Sequence, residues 1–223
     1  MKDKGKSSPR GEQTRDALLD AAVLAFAREG FQSANLREIA EAAAVNPALI
    51  GYHFRSKEGL YLAVFERMIE QMRLVFDPLL GQIGQTLALP APGAHADRVK
   101  RFLPPLLALV ETMLEHMVDE HPAWGELIVR EQHCPTAAYD LIYDVIISRC
   151  HGALVVLLQA LRPGEEPERV RLLASAIASQ VLIIRTSRAP MLRLLGWSGI
   201  GPRELAVMRA LIRRNTTLLA LGD

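Results

Sequence analysis

Three side chains that suit phosphate binding, Tyr52, His53 and Lys57, stand close together in the chain. A tyrosine hydroxyl, an imidazole N–H and an ammonium group are ordinary hydrogen-bond donors to nucleic-acid phosphates. The stretch around them, NPALIGYHFRSKEG, has no acid before Glu58, and the preceding acid is Glu41. Because carboxylates repel a polyanion, this acid-free stretch is the first candidate for a nucleic-acid contact.

A low-profile tip precedes these donors. Asn46 and Pro47 are typical of a helix start, because Asn accepts from first-turn amides and Pro has no N–H to leave unpaired there. With Ala48 they form an edge that can approach a major groove, where a Pro or Ala methyl can meet a thymine methyl. Leu49 and Phe54 are predicted to face the core.

Lys57 follows Ser56, which is placed to cap the next helix. A cation at a helix N-terminus is unfavourable by about a few tenths of a kcal/mol, and an approaching phosphate reverses that sign. Lys57 is therefore either a phosphate ligand or an ordinary solvated lysine.

Catalytic patterns are weak by comparison. GWSGIG, from Gly196, lacks the last glycine of a nucleophile elbow, since Ile200 stands there. His116 with Glu120 and Glu111 with Glu115 have four-residue spacing, but no HExxH motif or further ligand accompanies them. We expect no catalytic residue, no metal and no cofactor. The alternative to a DNA-binding protein is a helical enzyme or scaffold that binds small molecules without specific DNA binding.

Composition sets broader bounds. The chain has 223 residues, half of them hydrophobic, and a net charge of +1. Residues 1–65 carry nine Lys or Arg and eight Asp or Glu, so a DNA-binding case must rest on local placement. Cys134 and Cys150 are expected to be small buried residues. The longest apolar run, ALVVLL, is shorter than the ~18 residues of a membrane span, so we predict a cytoplasmic protein without membrane contact.

Helical periodicity organises the N-terminal part. After a flexible basic tail, residues 1–13, one helix is predicted from Thr14 to Gly30. Asn35 with Glu38 has capping-box spacing for a second helix, Asn46 starts a third and Ser56 a fourth. Only a short turn separates the second helix from the third, so residues of about 35–54 are predicted to form a helix-turn-helix.

The rest of the chain shows no sustained two-residue alternation. We predict an all-α protein: an N-terminal three-helix head with a helix-turn-helix, and a larger C-terminal helical domain for ligand binding and dimerisation. The later helices are expected at about 61–80, 97–119, 123–132, 136–161, 167–188 and 203–221.

The stretch LLDAAVLAFAREGFQSANLREIAEAAAVNPALIGYHFRSKEGLYLAVF, residues 18–65, resembles the DNA-binding head of the TetR family of transcriptional regulators. The resemblance implies a DNA-binding domain at 14–65 and an effector-binding, dimerising domain at 66–223. It implies base reading by Asn46, Pro47 and Ala48, a base or phosphate contact by Arg37, and phosphate contacts by Tyr52, His53 and Lys57. Two positions depart from the family: Ala44 replaces a frequent Gly, and Ala34 a frequent Thr or Ser.

A second stretch, residues 130–164, is similar to the C-terminal domain of CecR-type TetR regulators, which are associated with drug-efflux and stress genes. His133, Tyr139, Tyr143 and Arg185 are candidate effector ligands, because a few polar groups in an apolar pocket fix a ligand's orientation. Alternatively the tyrosines pack in the core, and Arg185 pairs with a carboxylate such as Glu131 or reaches solvent.

The last two long helices carry more apolar surface than one monomer of this size needs to bury. Their candidate interface residues are Leu172, Ala176, Ser179, Ile183, Leu205, Met208, Leu211, Ile212 and Leu218. In the family the corresponding helices form a four-helix dimer interface, so the resemblance implies a homodimer. A two-fold dimer reads a palindromic operator. The sequence as a whole therefore predicts a transcriptional repressor that a small-molecule effector releases from double-stranded DNA.

Overall fold

A computed structural model describes residues 9–118 and 122–222 of the chain, and no β-strand occurs among them. The predicted all-α class is therefore confirmed. In chain order the helices are α1 (Pro9–Ser33), α2 (Leu36–Ala42), α3 (Ala48–Phe54), α4 (Lys57–Ala88), α5 (His95–Val118), α6 (Pro122–His133), α7 (Ala137–Ile142), a π-helical turn (Tyr143–Ile147), α8 (Ser148–Leu161), α9 (Pro167–Thr186), α10 (Arg188–Leu195) and α11 (Pro202–Leu221).

The helices belong to two compact units. Unit 1 contains the described residues of 1–71 and of 121–142, and unit 2 contains those of 72–120 and of 143–223. The chain therefore crosses between units within α4, after α5 and after α7. Helices α6 and α7 lie within the domain predicted at 66–223, and in the structure they belong to unit 1, where α6 packs on α1 and α7 packs on α6.

Short side-chain caps define the helices of the predicted helix-turn-helix. Asn35 Oδ1 accepts from the backbone N–H of Arg37 at 2.9 Å, and Asn46 Oδ1 accepts from that of Ala48 at 2.9 Å. Ser56 Oγ accepts from Gly59 N–H at 3.0 Å. All three predicted caps are confirmed, because each satisfies an amide that has no partner inside its own helix.

Gly30 interrupts α1. Its φ of 81° is left-handed, and the helical hydrogen-bond pattern resumes on its far side through Ser33. Glycine adopts this conformation without the Cβ penalty that other residues suffer. The predicted glycine at the end of the first helix is thus the point where α1 kinks.

The core of unit 2 is built from α5, α8, α9 and α11, which pack on one another. α8 contributes a closely spaced set of fully buried leucines, and α9 a stripe with helical spacing. These buried residues are Leu154, Leu157, Leu158, Val170, Ala174, Ile177 and Val181.

One continuous helix in the described part of the chain, Ala137–Leu161, is long and apolar enough to cross a membrane, with a mean hydropathy of 1.8. The longest uninterrupted apolar run, ALVVLL, is short, so the sequence did not reveal the apolar character of the whole helix. Leu154, Leu157 and Leu158 of this helix are fully buried, and α8 packs against α5 and α9. The core of unit 2 therefore accounts for part of this apolarity, and 39% of the apolar window is buried.

The helix expected at about 167–188 is α9, which ends at Thr186. The separate helix α10, which begins at Arg188 after a bend of 84°, was not predicted, and the expectation that Cys134 is buried was wrong. Cys134 is exposed, whereas Cys150 is buried as expected. Burial raises the pKa of the Cys150 thiol to about 11, so this thiol stays protonated at neutral pH.

The turn between α2 and α3 forces Ala44 into a left-handed conformation, with φ at 54°. A Cβ makes this conformation costly by about 1–2 kcal/mol, whereas glycine adopts it freely. The departure from the family's frequent glycine at this position is thus tolerated at a cost in backbone strain.

We expect Ala44→Gly to raise the free energy of unfolding by about 1 kcal/mol, since relief of strain exceeds the entropy that glycine adds to the unfolded chain. Thermal and denaturant unfolding would measure it. Ala42→Gly, at the exposed end of α2, is the matched control and should instead lower stability by roughly 0.5–1 kcal/mol. Equal effects of both substitutions would contradict the strain at Ala44.

Candidate nucleic-acid interface

The inner face of α3 holds this helix to unit 1. Ile50 is 2% exposed and Phe54 is 6% exposed, four residues apart on one helix face. Leu49 is only half-buried, so its prediction as a core residue was wrong while that of Phe54 is confirmed. Adjacent positions on a helix diverge by about 100°, and Ile50 is the neighbour that shares the direction of Phe54.

The outer face of α3 and its lead-in is exposed. Asn46, Pro47, Ala48 and Gly51 are exposed, and Tyr52 is 80% exposed. Because Asn46 Oδ1 caps Ala48, the Nδ2 donor is the half of this amide that remains for an outside acceptor. The face thus combines small residues with a few hydrogen-bonding tips.

Gly51 has no internal reason to be glycine. A Cβ added there would meet nothing within 4 Å, and Gly51 lies inside α3 without a left-handed φ. Glycine inside a helix costs about 1 kcal/mol relative to alanine. Gly81 and Gly84 in α4 and Gly152 in α8 have equally open surroundings, so the absence of a side chain at Gly51 permits a close approach by another molecule without requiring one.

His53 lies at the edge of this face and is half-buried. Its ring centroid is 5.0 Å from that of Tyr52, edge to face, and 6.0 Å from that of Phe54. These aromatic neighbours limit the orientations that the imidazole can adopt.

Lys57 makes contacts inside the protein, which neither alternative for it, a phosphate ligand or a solvated lysine, included. Its Nζ donates to the backbone carbonyl of Gln32 at 2.9 Å and lies 5.4 Å from the ring centroid of Phe31. These two contacts hold the ammonium group at the C-terminal end of α1. One of its three donors is used here, so the other two can serve a phosphate.

Arg37 lies in the first turn of α2 and is exposed. Its backbone N–H is fixed by Asn35, so its guanidinium projects from a well-defined helix start. Arg37 belongs to unit 1, as do the six residues between 46 and 57 that are predicted to contact DNA.

Sequence reasoning missed a buried polar cluster in unit 1. Glu131, which is 2% exposed, accepts a hydrogen bond from the Tyr61 hydroxyl at 2.6 Å. Its neighbour Arg130 donates to the backbone carbonyls of Ala27 and Arg28. Burial and then the hydrogen bond from its hydroxyl to Glu131 raise the pKa of Tyr61. A signal existed in the sequence: Glu131 stands four residues after the fully buried Leu127, on the apolar stripe of α6.

The four candidate effector ligands are divided between the units. His133, whose Nδ1 lies 2.7 Å from the carbonyl of Val129, and Tyr139 belong to unit 1, whereas Tyr143 and Arg185 belong to unit 2. Tyr143 is 46% exposed, so the alternative that it packs in the core was wrong.

Arg185 has a structural partner within unit 2. Its Nη2 donates to the carbonyls of His116 and Met117, each at 3.1 Å. These carbonyls end α5, where a cation is favourable. Glu131, the suggested partner of Arg185, instead accepts from Tyr61 and Thr136 in unit 1.

The carboxylates that were weighed as metal ligands form ion pairs. Glu111 pairs with Arg213 at 2.6 Å, and Glu115 pairs with Arg209 at 2.6 Å. Within residues 9–118 and 122–222, no group of three or more His, Cys, Asp or Glu could hold a metal ion. Glu120, like the tail lysines Lys2, Lys4 and Lys6, lies outside the described residues.

A capped helix-turn-helix with an exposed, acid-free outer face defines a helix-turn-helix DNA-binding protein. Comparison with known families gives its membership: residues 18–64 match the bacterial regulatory proteins of the tetR family, and residues 105–222 match the C-terminal domain of the HTH-type transcriptional dual regulator CecR. The chain belongs to the TetR family of transcriptional regulators and has a CecR-type C-terminal domain. It is a regulator and not an enzyme.

Individual proteins agree with this assignment. The chain is 29% identical over 215 residues to CecR of Shigella flexneri, covering 96% of this chain and 94% of that protein. A TetR-family regulator from Mesorhizobium loti shares the fold with a TM-score of 0.59 at 18% identity, covering 95% and 97% of the two chains. A regulator from Saccharomonospora viridis, solved in complex with choline, has a TM-score of 0.59 at 18% identity and coverages of 91% and 95%.

If the outer face of α3 lies against DNA, Gly51→Ala should separate stability from binding. The substitution should stabilise unit 1 by about 1 kcal/mol through helix propensity, yet weaken DNA binding roughly tenfold because the methyl group blocks close approach. Thermal unfolding and fluorescence anisotropy with labelled DNA would measure the two effects.

Gly59→Ala is the contrasting control. A Cβ at Gly59 would collide with the carbonyl oxygen of Phe54, so this variant should lose stability as well as binding. A Gly51→Ala protein that is more stable and binds DNA with unchanged affinity would show that α3 does not approach DNA at Gly51.

Proposed function

We propose that this regulator is a homodimeric repressor that binds a palindromic operator and leaves it when a small-molecule effector binds. The observation that carries the DNA-binding half of the proposal is the exposed face of α3, where small residues and donors stand without a carboxylate from residue 42 to residue 57. Such a face suits the major groove, whose base edges lie between two rows of phosphates.

Each side chain has a distinct task in this proposal. Asn46, Pro47 and Ala48 face base edges, with the Asn46 amide as the donor and the other two as apolar contacts. Tyr52, His53 and Lys57 bind phosphates and thereby fix the orientation of α3. Arg37, at the exposed start of α2, supplies the guanidinium that reads a base or holds the adjacent phosphate.

Dimerisation through α9 and α11 is supported by their exposed apolar faces. On α9, Leu172, Ala176, Ser179 and Ile183 recur at helical spacing and are all exposed. On α11, Leu211 and Leu218 are exposed, whereas the predicted interface residues Met208 and Ile212 are buried within the monomer. Water-exposed apolar stripes on two long helices suit a self-complementary two-fold contact.

We place the effector site in unit 2. Both amide atoms of the Gln180 side chain are buried there without a hydrogen-bond partner among the described residues. Buried unpaired amides are rare, and a bound ligand would satisfy this one. Of the four predicted ligands, Tyr143 and Arg185 belong to this unit, whereas His133 and Tyr139 belong to unit 1. A family neighbour solved with choline supports a small organic effector.

The cellular setting follows from the same proposal. A repressor that binds chromosomal DNA acts in the cytoplasm, and the resemblance of residues 130–164 to CecR-type regulators implies drug-efflux or stress genes as its targets. An effector releases the operator if it binds the conformation with low DNA affinity more tightly than the other conformation. A nearly complete shift between the two conformations needs a difference in binding free energy on the order of 5.5 kcal/mol.

Selection from random double-stranded DNA tests the function directly. We expect the full-length protein to enrich a palindrome, because a two-fold dimer places two copies of α3 in successive major grooves, about 34–36 Å apart. Sequencing of the bound fragments gives the site, and light scattering gives the stoichiometry. Enrichment of no sequence would overturn the proposal, and enrichment of an asymmetric site would overturn its two-fold dimer.

Lys57→Ala and Arg37→Ala should change DNA binding in different ways. Loss of the Lys57 ammonium should weaken binding to all sequences and reduce the slope of log affinity against log salt by about 0.9 per subunit contact. Loss of an Arg37 base contact should cost about 1–3 kcal/mol at one operator position and relax the preference there. Binding titrations at several salt concentrations, with operator and scrambled duplexes, would separate the two.

Lys57→Gln is the matched control for the internal role of Lys57, because its amide can still donate to Gln32 while it carries no charge. It should show the reduced salt slope of Lys57→Ala with less loss of stability. If Lys57→Ala kept both the affinity and the salt slope of the unmodified protein, Lys57 would not bind phosphate.

A further inference from the structure

The helix α6 is a structural part of the DNA-binding unit although almost a hundred residues separate it from α1. Unit 1 joins residues up to 71 with those of 121–142, and α1 and α6 pack extensively on each other. Leu127 of α6 is fully buried in this unit. The polar residues at the end of α6 therefore belong to the same unit as the proposed DNA-binding face.

Arg130 caps the main segment of α1. Its Nε donates to the carbonyl of Ala27 at 3.0 Å, and its Nη2 donates to that of Arg28 at 3.1 Å. A helix leaves its last carbonyls unpaired and has a partial negative charge at that end, so a guanidinium satisfies both needs.

The kink at Gly30 makes room for this cap. A Cβ on Gly30 would lie 3.2 Å from Arg130 Nη1, and the left-handed φ of 81° is itself suited to glycine. Both the backbone conformation and the missing side chain at Gly30 thus fit the guanidinium of Arg130.

Glu131 anchors the same end of α6 to different partners. Its buried carboxylate accepts from the Tyr61 hydroxyl at 2.6 Å and from the Thr136 backbone N–H at 2.8 Å. The Thr136 hydroxyl donates a further hydrogen bond, with 3.0 Å to Oε2. A buried carboxylate is costly unless it is well hydrogen-bonded, so these donors fix the junction between α6 and α7 to Tyr61 of α4.

Tyr61 in turn packs where Lys57 is held. Its ring lies 4.9 Å from that of Phe26 and 5.0 Å from that of Phe31. Lys57 contacts the same Phe31 ring and donates to the Gln32 carbonyl. The end of α1 is therefore held by a cation from α6 and by a cation from the start of α4, with Tyr61 between them.

We infer that Arg130 and Glu131 are positioning residues for DNA recognition. They touch no DNA in this assignment. Arg130 fixes the end of α1 and Glu131 fixes Tyr61, and together they hold Lys57 at the height and orientation that a phosphate requires. This inference rests on the proposed function, because it concerns the binding of an operator by the same face.

Substitution of Arg130 tests the inference in the full-length protein with the selected operator duplex. We expect Arg130→Met to lower operator affinity about tenfold or more, since two charge-assisted hydrogen bonds are lost. The salt slope should fall by about 0.9 for each Lys57 that loses its phosphate. Arg130→Lys keeps the charge and one cap, and it should recover much of both. Arg193→Met, at an exposed position of α10, is the control and should behave as the unmodified protein.

The salt slope separates positioning from a merely structural role. A variant that only unfolds in part has fewer active molecules, as stoichiometric titration shows, but its active fraction keeps the original affinity and salt slope. That result for Arg130→Met would overturn the inference while leaving the proposed function intact. If the unmodified protein selects no DNA, the proposed function and the inference both fail.

A double-mutant cycle gives a test that does not depend on Arg130 variants folding. Tyr61→Phe keeps the aromatic packing and removes only the hydroxyl, and Glu131→Met keeps the side-chain length and removes the oxygen that accepts from Tyr61. If the hydrogen bond between Tyr61 and Glu131 positions Lys57, each single variant should lower operator affinity. The double variant should then bind the operator no more weakly than the single variant with the lower affinity. Independent, fully additive losses, or no loss in either single variant, would overturn the role of Glu131.

Discussion

The carbonyl groups at the end of α1 impose the constraint on which unit 1 depends. The kink at Gly30 interrupts the helical hydrogen-bond pattern, so the carbonyls of Ala27 and Arg28 need partners from elsewhere. Arg130 supplies these partners from a distant part of the chain. The conformation of Gly30 thus makes a long-range contact with Arg130 necessary. This contact fixes the end of α1, from which the next helices continue.

The proposed DNA-binding face, which is the exposed side of α3 and its lead-in, shows how one set of residues meets two demands. Ile50 and Phe54 face inward and hold α3, while Pro47, Ala48 and Gly51 keep its outer surface low. Strain at Ala44 and the helix-breaking tendency of Gly51 reduce stability within this small region. Such local costs are typical of binding sites, where the surface is shaped for a partner and buried packing elsewhere supplies the stability.

Unit 2 is stabilised mainly by its apolar core. Its core is formed by apolar stripes on α5, α8, α9 and α11, and the pairs Arg209–Glu115 and Arg213–Glu111 join α11 to α5 at its surface. Exposed ion pairs contribute little to stability, so the leucine-rich core carries most of it. The buried amide of Gln180 is one of the polar groups in this interior, and it is the one that we propose as an effector contact.

The sequence by itself determined the helical class, the helix-turn-helix and its caps, because these depend on periodicity and on contacts within a few residues. Asn35, Asn46 and Ser56 each cap a helix by a local rule that any such sequence obeys. The face of α3 was harder to predict, since a seven-residue helix offers few periods and Leu49 and Ile50 compete for one direction.

Only the tertiary structure decided which distant residues complete the DNA-binding unit. Nothing local to Arg130 or Glu131 shows that their partners are Ala27, Arg28 and Tyr61, because pairing across so many residues depends on how the helices pack. The same holds for Lys57, whose ammonium proved to be fixed by Gln32 and Phe31. Sequence patterns specify which surfaces a helix buries, whereas the partner of a buried charge is set by the fold that surrounds it.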